Sequence, residues 1–324
     1  MKTLMAPLVG LAFAYLTLSP ANAYMIYISN ERDNTVSIID SGTMEVTKTI
    51  KVGQRPRGIT MTKDGQFLLV CASDDDTVEV IDPKTGEIVG TLPSGPDPEL
   101  FVLHPSGNPL YIANEDDNLV TVIDLDKRTV IAEITVGVEP EGMAVSPDGK
   151  TVVNTSETTN MAHFINVETN EITHNVLVDS RPRFAEFKSD SSQLWVSAEI
   201  GGTVSVIDNK TREVIKKISF EIPGIRVEAI QPVGVRITKD RKKAFVALGP
   251  ANRIAVVNGE TYEVEKYILV GQRVWQLAFS PDEKLLFTTN GNSNDITVID
   301  VESLEPIQSI AVGQQPWGVA VSPE

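Results

Sequence analysis

The sequence predicts an all-β fold, a seven-bladed β-propeller with four-stranded blades, and three observations predict it. A strand-ending motif recurs at a fixed interval, each interval holds four short strands, and no stretch beyond residue 23 has helical periodicity. A repeat of roughly 40 residues with four strands is typical of one propeller blade. Seven repeats occupy residues 24–324, so we expect a single domain there.

A Val-Ile-Asp motif ends the third strand of each repeat and sets the period. The final residues of its seven copies, variants included, are Asp40, Asp82, Asp124, Asn166, Asp208, Asn258 and Asp300. The interval between successive copies is 42 residues five times and 50 residues once. The aspartates precede tight turns, where a carboxylate accepts hydrogen bonds from backbone amides. We therefore interpret them as scaffold residues without a catalytic role.

The four strands of a repeat are clearest between residues 141 and 178. We expect strands at 141–146, 151–156, 161–167 and 171–178, because these segments are rich in Val, Ile and Thr and are separated by turn-forming residues.

The two ends of the repeat region complete one blade. The segment that begins at Tyr24 has the pattern of a second strand, and residues 316–321 have the pattern of a first strand. We expect these segments to pair and close the ring, which removes two exposed sheet edges. The longer interval comes from an eight-residue insertion near Glu221–Ile230, before Pro232. An added loop over a propeller mouth predicts a lid or a partner contact.

The first 23 residues have the pattern of a secretory signal peptide. Lys2 precedes an apolar stretch from Leu4 to Leu18, and Ala21-Asn22-Ala23 is a small-x-small cleavage site. We expect cleavage after Ala23 and a soluble periplasmic product. An uncleaved membrane anchor is the alternative, but the apolar stretch is short for a transmembrane helix. We expect no membrane insertion of the mature chain.

Charge and cysteine content exclude several classes of protein. The chain has 28 Lys and Arg against 44 Asp and Glu, a net charge of −16, whereas a nucleic-acid partner needs a basic face. Cys71 is the single cysteine, so CxxC redox and thiolate-zinc motifs are absent from the sequence. His104, His163 and His174 occupy slots that other repeats fill with other polar residues. We therefore predict neither a histidine metal site nor a catalytic triad.

The repeat strings resemble a known family. YISNERDNTVSIID, YIANEDDNLVTVID and VGQQPWGVAVSP resemble the YVTN family of propeller repeats, and the resemblance covers all of residues 24–324. Within that family the chain is most similar to periplasmic propellers associated with pyrroloquinoline quinone (PQQ)-dependent alcohol catabolism. The resemblance implies a binding or accessory protein with no required cofactor. A periplasmic quinoprotein dehydrogenase or its cytochrome c is the implied partner, and PQQ is the candidate ligand.

Candidate contact residues come from the start of each first strand, which lines the central channel. Around the ring, one slot contains Arg57, Glu99, Glu141, Arg183, Val233, Trp275 and Trp317. The slot two positions earlier contains Arg55, Asp97, Glu139, Arg181, Gln231, Arg273 and Gln315. We predict that a ligand or partner contacts the arginines and tryptophans of these slots together with two acidic residues. These candidates are Arg55, Arg57, Arg181, Arg183, Arg273, Trp275, Trp317, Glu99 and Glu141.

The order of these residues predicts two separate sectors of the mouth. Trp275, Trp317 and Arg57 are consecutive around the ring and form an aromatic, basic sector, whereas Glu99 and Glu141 form an acidic sector. Indoles stack on planar ligands, and guanidinium groups bind carboxylates in bidentate fashion. The alternative is that the tryptophans only plug the channel.

A second set of carboxylates lies in the loops between second and third strands. Its members are Glu31, Glu115, Glu157 and Glu199. Carboxylates grouped on one face suit calcium, but we expect solvated loop residues here and no metal site.

Two enzyme classes remain as alternatives to a binding protein. Quinoprotein dehydrogenases and amine dehydrogenases are propellers too. Quinoprotein alcohol dehydrogenases are tryptophan-rich, however, whereas this chain has three tryptophans. A lactonase-like hydrolase would need a metal held by channel residues such as Glu99 and Glu141. We find no activated nucleophile or paired acid and base in the sequence, which favours the non-enzymatic class.

Overall fold

Seven four-stranded antiparallel sheets form the ring that the sequence predicts. A computed structural model describes residues 23–323, so the predicted signal segment lies outside the described residues except for Ala23. No helix within residues 23–323 combines the length and the apolar character needed to cross a bilayer.

The blades follow one another along the chain. Blade 1 contains β28 (Pro316–Val321), β1 (Met25–Asn30), β2 (Thr35–Asp40) and β3 (Glu45–Lys51). Blade 2 contains β4 (Pro56–Met61), β5 (Leu68–Ala72), β6 (Thr77–Asp82) and β7 (Glu87–Pro93). Blade 3 contains β8 (Pro98–Leu103), β9 (Leu110–Asn114), β10 (Leu119–Asp124) and β11 (Thr129–Thr135). Blade 4 contains β12 (Pro140–Val145), β13 (Thr151–Ser156), β14 (Met161–Asn166) and β15 (Glu171–Leu177).

The remaining blades repeat this order. Blade 5 contains β16 (Pro182–Phe187), β17 (Gln193–Ala198), β18 (Thr203–Asp208) and β19 (Val214–Ser219). Blade 6 contains β20 (Val235–Ile237), β21 (Lys243–Ala247), β22 (Arg253–Asn258) and β23 (Val264–Leu269). Blade 7 contains β24 (Val274–Phe279), β25 (Leu285–Asn290), β26 (Asp295–Asp300) and β27 (Glu305–Ala311). Short 3-10 helices occupy Ser73–Asp75 and Val227–Ala229.

The two ends of the chain close the ring as predicted. Strand β28 pairs antiparallel with β1, with Ile26 opposite Val321 and Ile28 opposite Val319. The strands predicted for blade 4 agree with β12 to β15 to within a residue at each end. The scaffold aspartates are confirmed as well, since Asp82 and Asp208 each accept hydrogen bonds from two turn amides.

The hydrophobic core lies between neighbouring blades. Leu69 and Cys71 of blade 2, for example, pack against Leu110 and Ile112 of blade 3, and all four are fully buried. Cys71 is a small residue of this core, and burial raises the pKa of its thiol. The fourth strands are mostly exposed and form the outer rim, because each is the outermost strand of its sheet and pairs with a neighbour on one side only.

A repeated side-chain contact fixes the turn that enters most first strands. Arg55, Asp97, Glu139, Arg181, Arg273 and Gln315 all have left-handed backbone, with φ between 50° and 59°. The backbone N–H of each donates to an Asn or Asp oxygen in the second-to-third-strand loop of the preceding blade, at 2.8–3.1 Å. Non-glycine residues adopt this conformation only when the surroundings hold them there. The turns therefore present their side chains at defined positions.

Candidate functional site

The candidate site occupies the upper face, the end of the ring at which chains enter the first strands. The loops between second and third strands lie on the same face, because the Glu31 and Glu115 amides donate hydrogen bonds to the Gln315 and Asp97 carbonyls. The nine predicted contact residues therefore lie at one end of the channel.

One group of ion pairs joins blades 1, 2 and 3. Arg57 lies 2.5 Å from Glu99 and 3.1 Å from Glu31, whose carboxylate belongs to the preceding blade. Arg55 lies 2.9 Å from Glu99 and also pairs with Asp97. Glu99 is fully buried and receives both guanidinium groups.

A second group of ion pairs joins blades 4, 5 and 7. Arg183 lies 3.0 Å from Glu141 and also pairs with Glu157. Arg181 lies 2.7 Å from Glu157 and 3.3 Å from Glu199. Arg273 reaches the same Glu199 at 2.9 Å, so this carboxylate links side chains from two blades.

These pairs correct two predictions made from the sequence. The basic and acidic residues do not form separate sectors, because Arg57 binds Glu99 directly and Arg183 binds Glu141. Glu157 and Glu199 are not solvated loop residues, since they are buried and bound by arginines. Side chains of opposite charge meet because equivalent slots in the first strands of adjacent blades lie next to each other at the channel wall.

The tryptophans complete the wall of the channel below the arginines. The Arg57 guanidinium lies 5.6 Å from the ring centre of Trp317, and those of Arg183 and Arg273 lie 5.9 and 4.3 Å from that of Trp275. Such contacts are favourable between a cation and an indole face. Trp317 is 1% exposed and therefore closed off from solvent, whereas Trp275 is half-buried.

The candidates therefore divide into buried and accessible residues. Glu99, Glu141, Arg183 and Trp317 are buried and hold the upper end of the channel together. The side chain of Arg181 is 44% exposed, and those of Arg55 and Arg273 are 23% and 24% exposed. A ligand or partner on this face meets these three arginines and Trp275 first.

Three carboxyl groups share one part of this face, and the sequence analysis did not place them together. Ligand oxygens of Asp97, Glu99 and Glu115 all lie within 4.8 Å of one another. Burial and the neighbouring Glu99 raise the pKa of Asp97 to about 7 and that of Glu115 to about 8. Burial opposes ionisation of Glu99 too, but Arg57 and Arg55 hold its pKa below the usual value.

This distribution of charge lets the three carboxyl groups share protons at neutral pH. Glu99 stays ionised between two guanidinium groups, and Asp97 and Glu115 hold protons up to neutral pH. Two of the three carboxyls that a cation would need are already paired with Arg55 or Arg57. Within residues 23–323 no histidine belongs to a cluster of possible metal ligands.

The inserted loop lies on the upper face, as predicted. Ile222 and Ile225 pack against the core between blades 5 and 6, while Val227 is 67% exposed. The loop meets the arginines through Gln231, which accepts a hydrogen bond from Arg273 at 2.9 Å. The exposed part of the insertion therefore borders the accessible arginines.

Comparison with known proteins supports the propeller repeats. The family model of YNCE-like beta-propellers matches residues 6–108, which supports repeats of the YVTN type. No curated protein matches the chain.

Solved structures resemble the whole ring. Hydrazine synthase from Kuenenia stuttgartiensis has a TM-score of 0.79 and 20% identity, covering 90% of this chain and 99% of that one. A putative 6-phosphogluconolactonase from Bacteroides uniformis has a TM-score of 0.79 and 18% identity, covering 93% and 100%. A dihydro-heme d1 dehydrogenase has a TM-score of 0.69 and 13% identity, covering 91% and 74%. At these identities the likeness shows the fold alone.

Proposed function

We propose that this protein is a non-enzymatic binding propeller of the periplasm that works beside PQQ-dependent alcohol oxidation. Its contact surface is the accessible part of the upper face, and its ligand is PQQ or an acidic surface of a quinoprotein dehydrogenase or of the cytochrome c that serves it. A propeller offers a rigid frame with a concave mouth, which suits binding.

One observation carries this proposal. Arg55, Arg181 and Arg273 are part-exposed, and ion pairs with buried or half-buried carboxylates hold their guanidinium groups around the mouth. Preorganised guanidinium groups lose little freedom when they bind a carboxylate, and Trp275 beside Arg273 adds a face for stacking. A planar ligand with several carboxylates fits this combination.

The surrounding charge makes this binding sensitive to salt in a defined way. The net charge of −16 repels an anion at long range, while the local arginines attract it. Salt screens both effects, so we expect added salt to weaken binding only in part.

A lactonase-like activity is not favoured. Such an enzyme needs a metal at the channel mouth, and the carboxylates of that region are engaged by arginines. The resemblance to a putative lactonase reflects the shared ring of blades.

The experiment compares two arginines of equal exposure on opposite faces. Arg181 and Arg241 are 44% and 45% exposed, each is ion-paired, and each has left-handed backbone. We expect Arg181→Ala and Trp275→Ala to weaken binding about tenfold or more in calorimetry with PQQ and with the purified dehydrogenase and cytochrome. Arg241→Ala should bind like the parent.

The outcomes separate the ligand from the site. If the parent binds neither PQQ nor either protein, the proposed function is wrong. If the parent binds one of them and Arg181→Ala and Trp275→Ala keep full affinity, the accessory role stands and the upper-face site is wrong.

A further inference from the structure

A cavity of about 380 Å³ lies in the channel below the upper-face residues. It begins under Trp317 and extends along the first strands to Pro147, in the turn that ends the first strand of blade 4. Part-exposed residues such as Thr60, Val102 and Glu186 line it, so solvent reaches the cavity from the lower face. The predicted contact surface lies at the other end of the same channel.

One slot of the first strands builds the inner end of this cavity. Around the ring it contains Gly58, Leu100, Gly142, Phe184, Gly234, Gln276 and Gly318. The glycines let neighbouring first strands pack closely, since a Cβ at Gly58 would lie 2.5 Å from the Glu99 carbonyl oxygen. The large residues come from blades 3, 5 and 7, and Leu100 packs against the cluster that includes Phe184.

Gln276 is the polar member of this trio, and its amide is unsatisfied. The residue is 4% exposed, and neither Nε2 nor Oε1 has a hydrogen-bond partner among residues 23–323. The lack of a side chain at Gly234 accommodates the Gln276 amide, because an added Cβ there would lie 3.0 Å from Oε1. The indole N–H of Trp317, at the same end of the cavity, also has no acceptor within the described chain. Buried polar groups without partners cost free energy, which a ligand relieves when it supplies the missing bonds.

The walls of the cavity define what else a ligand must be. Leu100, Met143, Phe184 and Val319 make most of the inner wall apolar. The Arg236–Glu186 ion pair, at 3.2 Å, lies on the side nearer the lower face, with the guanidinium over the ring of Phe184. A ligand therefore places an apolar body in the channel and a small polar group at the inner end.

We propose that this cavity binds a small, mostly apolar molecule whose head group both donates and accepts hydrogen bonds, a carboxamide or a hydroxyl. A carboxylate would leave Oε1 of Gln276 without a donor, and an ammonium group would leave Nε2 without an acceptor. A neutral group that does both satisfies the amide completely. This site is separate from the accessible arginines and Trp275 of the upper face, since it draws on Gln276, the buried Trp317 and the lower half of the channel.

The test uses ligands that share one ring and differ in head group. Benzamide, benzyl alcohol, benzoate and toluene are titrated against the full mature protein by ligand-observed NMR. We expect benzamide or benzyl alcohol to bind at least about tenfold more tightly than toluene and benzoate, which is the effect of one to two buried hydrogen bonds. If all four bind equally, or none binds, the proposal is wrong.

Gln276→Met keeps the volume of the side chain and removes its polar group. We expect this variant to bind toluene like the parent and to lose the preference for benzamide and benzyl alcohol. It should also melt at a higher temperature without ligand, because an unsatisfied amide is removed. Gln308→Met, on the exposed outer strand β27, is the control and should change neither property.

A second variant keeps the test decisive if Gln276→Met does not fold. Val102 is a part-exposed wall residue at the margin of the core between blades 3 and 4, so the larger side chain of Val102→Trp has the cavity to occupy. We expect it to abolish binding of every ring ligand. Unchanged binding by Val102→Trp would place the ligands elsewhere and overturn the proposal.

Discussion

Arg183 is a buried cation of blade 5 whose two nearest carboxylate partners both come from blade 4. It lies 3.0 Å from Glu141 of its neighbouring blade and also pairs with Glu157, and all three side chains are at most 5% exposed. Removing one member of a buried ion pair leaves the other charge without a partner, which costs roughly 3–5 kcal/mol. We therefore expect Arg183→Met to lower the free energy of unfolding by about 3 kcal/mol in urea denaturation.

The neighbouring Arg181 provides the control for this prediction. Its side chain is 44% exposed although it lies 2.7 Å from Glu157, so water replaces much of what the substitution removes. Arg181→Met should lower the free energy of unfolding by less than about 1 kcal/mol. Equal losses for the two variants would contradict the role given to burial.

Glu115 makes the stability of the protein depend on pH. Burial and the neighbouring Glu99 raise the pKa of Glu115 to about 8 and that of Asp97 to about 7, from ordinary values of 4.5 and 3.8. The folded state thus holds protons that the unfolded state has released. The protons on these two carboxyl groups stabilise the folded state fully below about pH 4, and this stabilisation is lost as the pH rises through about 7 and 8.

Glu115→Gln removes this dependence in part. We expect the variant to be more stable than the parent above about pH 8, by about 1 kcal/mol, because solvent screens much of the repulsion at this half-buried position. Near pH 4 the two proteins should unfold alike. Thermal unfolding across this range is the measurement, and a gap that does not widen as the pH rises would contradict the shared-proton arrangement.

For single residues, the sequence indicates which side chains lie at the channel mouth but not which of them bond to each other. Arg57 and Glu99 occupy equivalent slots of neighbouring repeats, which the sequence shows. They are 42 positions apart, however, and their bond depends on the direction of the side chains. Gln276 lies one position beyond Trp275, and only the packing around it leaves its amide without a partner in residues 23–323. The signal is present in the sequence as glycine in four blades and Leu100, Phe184 and Gln276 in the other three.

Among the elements, β28 is the strand that closes the ring. It supplies the channel strand of blade 1, pairs with β1, and contributes the buried Trp317. Deleting residues 316–324 exposes the edge of β1 and removes the fully buried indole of Trp317. We expect the shortened protein to aggregate or to melt at a much lower temperature than the parent, measured by size-exclusion chromatography and calorimetry.

Deleting residues 323–324 alone is the control for this truncation. It leaves β28 intact and keeps Ser322, whose hydroxyl accepts a hydrogen bond from the Met25 amide at 2.9 Å. We expect a change of only a few tenths of a kcal/mol, because both residues follow the last strand in the sequence. A full truncation that melts like this control would refute the role of β28 in closure.

The elements were predictable because each blade is a local unit. Its four strands follow one another and are joined by short turns, so the alternation of strand and turn residues identifies them without knowledge of long-range contacts. The first strand of blade 6 is less regular than its sequence slot implies. Only Val235–Ile237 pairs as β20, because Pro232 and the inserted loop precede it and interrupt the ladder.

At the scale of the whole molecule, the ring begins where the predicted signal segment ends. The first strand residue is Met25, and the Tyr24 amide donates to the Ser41 hydroxyl at 2.9 Å. The Tyr24 ring also lies against Phe287, with 6.3 Å between ring centres. Cleavage after Ala23 would therefore leave every strand and this first contact in place.

We expect export to remove residues 1–23 and to leave a folded ring that starts at Tyr24. Intact-mass measurement of protein recovered from the periplasm should give the mass of residues 24–324. Replacing the small residue at the cleavage site, Ala23→Phe, should block processing and give the mass of the full chain, because signal peptidase requires small side chains there. A parent protein that keeps residues 1–23, or a variant that is processed normally, would contradict this prediction. The proposed function depends on this location as well, since a partner in periplasmic alcohol oxidation meets only a propeller that has been exported.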